Sequence, residues 1–253
     1  MIVLLTDFGE KDAYPGIMKG VIAGIAPEAK VVDLSHAIYP QDVQGARFVL
    51  WNSYKYFPSG STFVCVIDPG VGSNRSILAV KTAQHTFIAP DNGLLDYVLA
   101  EVPIQLVLRI ENPAVWRKDI SHTFHGRDIF APTAAHLEAG FLFTQLGPTH
   151  DAFVLPSSPW ITPKAGQATQ GEIIHEDHFG NLITNLIWPD TQAGALDIGK
   201  HEIHLGQTYA SVSPGDSLAL PGSHGRLEIA VRNGHAGEML GLKVGDPVQL
   251  TLS

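Results

Sequence analysis

The stretch "TFVCVIDPGVGSNRSILAV", residues 62–80, decides how the rest of the chain reads. A β-branched and apolar run, Thr62 to Ile67, ends in an acid, Asp68. Pro69, Gly70 and Gly72 then turn the chain, and a base, Arg75, precedes a second apolar run, Ile77 to Val80. A continuous apolar run bounded by turn residues predicts a strand covered on both faces, as in a parallel sheet. Working outward, "IVLLT" (2–6), "VVDLS" (31–35), "TFIAP" (86–90) and "QLVLRIE" (105–111) repeat the pattern. Between them, 14–25, 42–56, 92–101 and 127–139 carry helical spacing.

Alternating strands and helices predict an α/β domain over 1–155, with a mostly parallel, Rossmann-like sheet between helices. In such sheets ligands bind beyond the carboxyl ends of the strands. Attention therefore falls on Thr6, Asp7, Ser35, His36, Asp68, Asp91 and Asn92, the polar residues that follow the runs. "LPSSPWITPKAGQATQG" (155–171) has three prolines and no periodicity, which predicts a linker over 156–170. Beyond it, "EIIHED", "LITNLI", "HEIHLG", "SLALPG", "RLEIAV" and "PVQLTL" alternate between turn residues. They predict a smaller antiparallel β-barrel or sandwich over 171–253.

Composition removes several classes. The chain has 253 residues, 45% hydrophobic and 16% charged, which is enough to bury a sizeable core and unlike a disordered segment. Its formal charge of -9 repels phosphate backbones and anionic membranes, so no nucleic acid or membrane partner is expected. The N-terminus meets an acid after six residues, too early for a signal peptide, and no apolar run approaches a membrane span. A single cysteine, Cys65, sits in an apolar run and has no internal disulfide partner, which makes the cytoplasm the default location. The "NRS" sequon at Asn74 is then a chance match.

Each polar motif has a plain and a chemical reading. Asp7 is placed at a strand tip and Asp12 at a helix N-cap, with Pro15 in the first turn. Both acids could be turn and cap residues, or could accept hydrogen bonds from ribose hydroxyls. "DPGVGSNRS" lacks the third glycine of a dinucleotide loop, and no GxxxxGK[ST] occurs. Asp68 paired with Arg75 across the turn is the better reading, whether as a stitched turn or as an acid with one oxygen left for a ligand. "SHTFHGRDIF" places His125 on the loop side of a helix whose first turn carries Arg127 and Asp128. Twelve histidines invite a metal, yet none has HExxH spacing or a cysteine set, so no metal is expected. In "HEDHFGNLITN", Phe179, Gly180 and Asn181 form a turn that is either structural or offers a ring and an amide to a purine.

Taken together, "TDFG" with Asp12, "DPGVGS" with Arg75, "APDNGLL", "TFHGRDIFAP", "DHFGNLITN" and "GRLEIAVRNG" resemble the S-adenosyl-L-methionine (SAM) hydroxide adenosyltransferases. These are the adenosine-forming SAM hydrolases related to the fluorinase and chlorinase. The resemblance runs in order through nearly the whole chain. It implies hydrolysis of SAM to adenosine and methionine with no cofactor, by a homotrimer whose sites lie between neighbouring subunits. By motif, Asp68, Arg75 and His125 correspond to the hydrolytic triad. Asp7, Asp12, Tyr39, Phe179, Asn181 and Ser223 correspond to substrate contacts. One departure is His224, where the halogenating relatives carry an arginine for the amino-acid carboxylate; Arg226 is the alternative. A halogenase using chloride, a metal-dependent hydrolase and a non-catalytic SAM or adenosine binder are the competing readings.

Overall fold

The computed structural model describes residues 1–189 and 194–252, so residues 190–193 and Ser253 of the region read as the second domain lie outside it. The chain divides into two compact units, Met1–Ser158 and Pro159–Ser253, and the division falls inside the segment read as a linker.

The first unit runs β1 (Ile2–Thr6), α1 (Tyr14–Ile25), β2 (Val31–Ser35), α2 (Val43–Ser53), β3 (Thr62–Val66), β4 (Ile77–Thr82), β5 (Thr86–Pro90), α3 (Asp96–Leu99), β6 (Ile104–Arg109) and α4 (Ala131–Glu138). Its six strands are ordered β2-β1-β3-β5-β4-β6. All are parallel except β4, which is antiparallel to both neighbours. The reason is local: only residues 83–85 join β4 to β5, and a parallel pair needs a crossover of a dozen residues or more. β1, β3 and β5 are buried along their whole length, as continuous apolar runs require. Ile2, Leu4, Val64, Val66 and Ile88 pack with Met18 and Ile22 of α1 and Ala131, Ala134 and Ala135 of α4.

Two helices depart from the spacing. The 92–101 segment is helical only over 96–99, because Asn92 starts as a turn, its Oδ1 accepting from Leu94 N–H at 3.2 Å. The 127–139 segment opens with a π-turn, Gly126–Phe130, before α4. Pro132 has no N–H for the carbonyl of Asp128 four residues earlier, and Arg117 N–H takes that carbonyl instead at 2.9 Å. The expected Asp12 cap is corrected: Ala13 occupies the N-cap of α1 without a side-chain bond, and Asp12 is exposed.

The second unit is an antiparallel seven-stranded sheet: β7 (Ala168–Glu176), β8 (Leu182–Ile187), β9 (Gly194–Ile198), β10 (His201–His204), β11 (Ser217–Pro221), β12 (Arg226–Val231) and β13 (Pro247–Leu252), with a short helix α5 (Ala236–Leu240). Its order is β10-β9-β13-β7-β8-β12-β11, and a bridge from Leu205, just after β10, to Ala219 of β11 nearly closes it into a barrel around Leu182, Leu196, Ile229 and Leu250. β9, GALDI, is too mixed to announce itself in sequence. The end of the linker is strand: β7 starts at Ala168 because it pairs with β13, and Ile161 bridges Leu186.

Candidate active site

The first site grows from the carboxyl edge of the parallel sheet. β3 delivers Asp68 one residue past its buried run, and Asn92 Nδ2 holds that strand end by donating to Ile67 O at 2.9 Å. Gly72, at φ +79°, lets the following turn lie against the loop before the π-turn, because a Cβ there would sit 2.7 Å from His122 O. That turn returns Arg75 to Asp68. Arg75 Nε donates to Asp68 Oδ1 at 2.9 Å and to Oδ2 at 3.0 Å, and Nη2 donates to Oδ2. The pair is nearly dry, with side chains 5% and 12% exposed for Asp68 and Arg75.

The same Nη2 lies 2.9 Å from His125 Nδ1. A guanidinium can only donate, so Nδ1 accepts and the proton of the neutral ring sits on Nε2. Burial, and then the Arg75 charge, push the His125 pKa below its ordinary value against the opposing pull of Asp68 and Asp128. The loop holding His125 is anchored by Asp128, which is fully buried. Its carboxylate accepts from Arg127 Nε at 2.7 Å and from Ser121 N–H at 2.9 Å, and Arg117 Nε lies 3.2 Å away. Burial alone would raise the Asp128 pKa. Those hydrogen bonds and the two arginine charges outweigh it and hold the group below its ordinary value.

Asp68 and His125 open on a cleft of about 380 Å³ together with Asp7, Phe8, Tyr14, Pro40, Gln41, Phe124 and others. Phe8, Tyr14 and Phe124 form one aromatic wall, with centroid separations of 5.1 to 5.8 Å. Asp7 is committed in part: Oδ2 accepts from Gln41 N–H at 2.8 Å. The structure thus brings Asp7, Asp68, Arg75 and His125 together. Tyr39 is 81% exposed beside the lining residues Pro40 and Gln41 but does not line the cleft, and neither does Asp12.

A second cavity, of about 670 Å³, lies within the barrel unit and is lined by Phe179, Asn181, Tyr209, Ala210, Val231, Arg232, Asn233 and Gly234. The β7–β8 turn that carries Phe179 and Asn181 is built by Asp177. Its Oδ1 accepts from the N–H groups of Phe179 and Asn181, each at 2.9 Å, and its Oδ2 from Asn181 Nδ2 at 3.0 Å. Among the described residues, this leaves the Asn181 side-chain carbonyl oxygen and one amide hydrogen without a partner, while Phe179 is 72% exposed beside it. Gly180 is required: it has φ +80°, and a Cβ there would fall 2.2 Å from the His235 ring.

Ser223 is exposed in the β11–β12 turn, away from the cavity lining. Its neighbour His224 turns inward, with Nδ1 accepting from Arg226 N–H at 3.1 Å and Nε2 3.6 Å from buried Glu228. The Arg226 guanidinium lies 4.0 Å above the Trp160 ring. Sequence reasoning missed Asp177, Tyr209, Phe8, Phe124 and Gln41. For Asp177 a signal existed, an aspartate two residues before the Phe-Gly-Asn turn, the spacing at which its carboxylate captures the following N–H. Tyr209, whose hydroxyl donates to Glu228 at 2.6 Å, had no such signal. Among the described residues, no three His, Cys, Asp or Glu gather as a metal site, and no helix is long and apolar enough to cross a membrane.

Fold and site together define a two-unit protein: an α/β unit with a dry carboxylate, guanidinium and imidazole at one edge, and a barrel unit carrying an exposed ring beside a buried amide. The chain belongs to the SAM hydroxide adenosyltransferase family, whose N-terminal domain matches residues 2–147 and whose C-terminal domain matches residues 171–249. A relative from Thermus thermophilus named (R)-S-adenosyl-L-methionine hydrolase is 37% identical over 98% of this chain and 98% of its own. A more distant relative, a fluorinase from Actinoplanes sp., is 26% identical over 99% of this chain and 97% of its own. The solved structure of an uncharacterized conserved protein from Thermotoga maritima superposes with a TM-score of 0.89 at 35% identity, covering 99% of this chain and 100% of that one.

Proposed function

We propose that this protein is a hydrolase that converts SAM to adenosine and L-methionine by in-line attack of water on C5′ of the ribose. The observation that carries the reading is the Asp68–Arg75–His125 contact, whose Asp68 and His125 line a cleft with an aromatic wall. Family membership and the name of the Thermus relative support it.

The chemistry asks little of the protein at the leaving-group end, because a sulfonium departs as a neutral thioether, and no metal or other cofactor is required there. What remains is to hold water behind C5′ in line with the sulphur, and positioning of that kind contributes up to about 7 to 11 kcal/mol. Water must also lose a proton as it attacks. His125 is a poor acceptor, since Nδ1 is engaged by a permanent cation and Nε2 already carries hydrogen. Its role is to donate from Nε2 to the water oxygen and fix its direction. Asp68 accepts the proton, through the one lone pair that Arg75 leaves unused on Oδ1. Arg75 keeps the carboxylate aimed.

A halide would meet the same carboxylate in a dry site, where like charges repel strongly, so chloride is disfavoured as nucleophile. Asp7 is the ribose-hydroxyl acceptor, Phe179 and Asn181 hold the adenine, and Arg226 is the cation for the methionine carboxylate, because His224 faces inward. A homotrimer and a cytoplasmic location go with this reading, and light scattering tests the former.

The deciding experiment is to incubate purified protein with SAM, with and without chloride, and separate the products. Adenosine plus methionine is expected in both. A chlorinated nucleoside, or no product with SAM retained on the protein, overturns the reading.

A further inference from the structure

One polar cluster next to the cleft takes no part in the chemistry above. His36 follows β2, is buried, and ties the tip of that strand to the tip of β1. Its Nδ1 is 2.8 Å from Thr6 Oγ1, and its Nε2 faces Asp33 Oδ1 at 3.1 Å, off the hydrogen-bonding axis. With the ring hydrogen on Nε2, on the side of the carboxylate, Nδ1 accepts from the Thr6 hydroxyl. Thr6 Oγ1 also accepts from Phe8 N–H at 3.3 Å, and His36 O accepts from Gly9 N–H at 2.8 Å. Lys19 completes the chain on the far oxygen of Asp33. Burial would raise the Asp33 pKa, but the hydrogen bond from Lys19 and the proximity of His36 and Lys19 outweigh it and hold the group below its ordinary value.

The arrangement has the residue types of a hydroxyl, imidazole and carboxylate nucleophile set, yet Thr6 is completely buried and no substrate can reach it. What it fixes is the loop after β1, which carries Asp7 and Phe8 into the cleft. The opposite loop is fixed in turn, since Gln41, held at φ +68°, donates its N–H to Asp7.

We propose that His36 is a positioning residue that, through Thr6, sets the angle at which Asp7 and Phe8 meet the nucleoside. This rests on the functional reading of the cleft. It assigns to Nδ1, rather than Nε2, the contact that matters for substrate.

Three variants separate the two ring nitrogens. In His36→Asn the amide oxygen replaces Nδ1 and keeps the Thr6 contact; in His36→Gln the amide nitrogen replaces Nε2 and loses it. Thr6→Val removes the hydroxyl at constant shape. His36→Gln and Thr6→Val are expected to raise KM for SAM about tenfold or more, with kcat within about threefold, since a small misplacement of a binding group costs up to about a hundredfold. His36→Asn is expected to stay within about threefold of the parent in KM. The double variant Thr6→Val/His36→Gln should be no worse than either single one, because both remove one interaction.

Amide hydrogen exchange over 6–9 and 36–42 gives a readout independent of turnover. It is expected to quicken in His36→Gln and Thr6→Val and not in His36→Asn. Unchanged KM and unchanged exchange in folded His36→Gln overturn the proposal, as does equal damage by Asn and Gln. Absence of adenosine release by the unaltered protein overturns the functional reading instead, and the exchange comparison still decides the role of His36 in bracing the loop.

Discussion

Replacing Asp68 by asparagine alters one charge and almost no volume, at a place where both the fold and the proposed chemistry depend on that charge. In the native protein the carboxylate receives three N–H contacts from Arg75, and the two side chains are 5% and 12% exposed. An amide can accept at only one of its two positions and points N–H at N–H at the other. The guanidinium is then left buried with a neutral imidazole and the Phe130 ring, 5.9 Å from Cζ, as neighbours and no paired anion among the described residues. Breaking a buried pair in this way costs about 3 to 5 kcal/mol. For a protein of this size that is a fall in Tm of roughly 6 to 20 °C.

Turnover should fall further than stability explains, by about 100- to 10,000-fold in kcat, because the proton acceptor is gone. KM should move by less than about tenfold, since the lost interaction belongs to the transition state. Calorimetry and adenosine release, measured below the variant's Tm, separate the two effects. A further variant, Asp68→Asn with Arg75→Gln, removes both buried charges and should regain much of the stability while regaining no turnover. A folded Asp68→Asn protein with kcat within about twofold of the parent refutes the role of Asp68. So would recovery of turnover in the double variant.

Because burial and the Arg75 charge depress the His125 pKa, the ring is neutral across the neutral range, and kcat/KM should be flat above about pH 6.5. It should fall only as pH drops through the depressed value; an acid limb at or above 6.5 that vanishes in His125→Gln contradicts this. Stability follows the same sign: the unfolded chain takes up the proton first, so the His125 contribution is complete above about pH 6.5 and is lost as pH falls through the folded value, which acid unfolding midpoints check. Gly180→Ala combines a left-handed φ with a collision against His235 and should cost more than about 1 kcal/mol; an unchanged melting curve rules out that turn geometry. Turnover should survive exhaustive chelation, and activity lost to a chelator and restored by a divalent metal would replace the proposed mechanism with a metal-dependent one.

Much of the site was legible because its chemistry is local. Asp68 and Arg75 are joined by a turn whose proline and glycines are visible in sequence, so their pairing followed from strand, turn and charge order. The Phe179–Asn181 turn was equally readable from Gly180. Asp12 misled because a plausible capping residue and a nearby proline do not fix which residue precedes the first helical one, and Ala13 took the place. The antiparallel β4 was written in the three-residue gap before β5, whereas β9 depended on pairing with β10 and β13 and had too little pattern of its own.

What the sequence determined by itself was the alternation of buried strands and helices, the change to short alternating strands after 170, and the polar residues at the strand tips. Periodicity and turn chemistry act over a few residues and are carried by the chain wherever it goes. Tertiary structure alone decided that His125 meets Arg75 through Nδ1, that Thr6 leans on His36, and that His224 faces Glu228 and not the solvent. Those contacts join residues on different elements, or depend on which way a ring turns. Only the packing of the sheet, the π-turn at Gly126–Phe130 and the closing barrel fixes such directions.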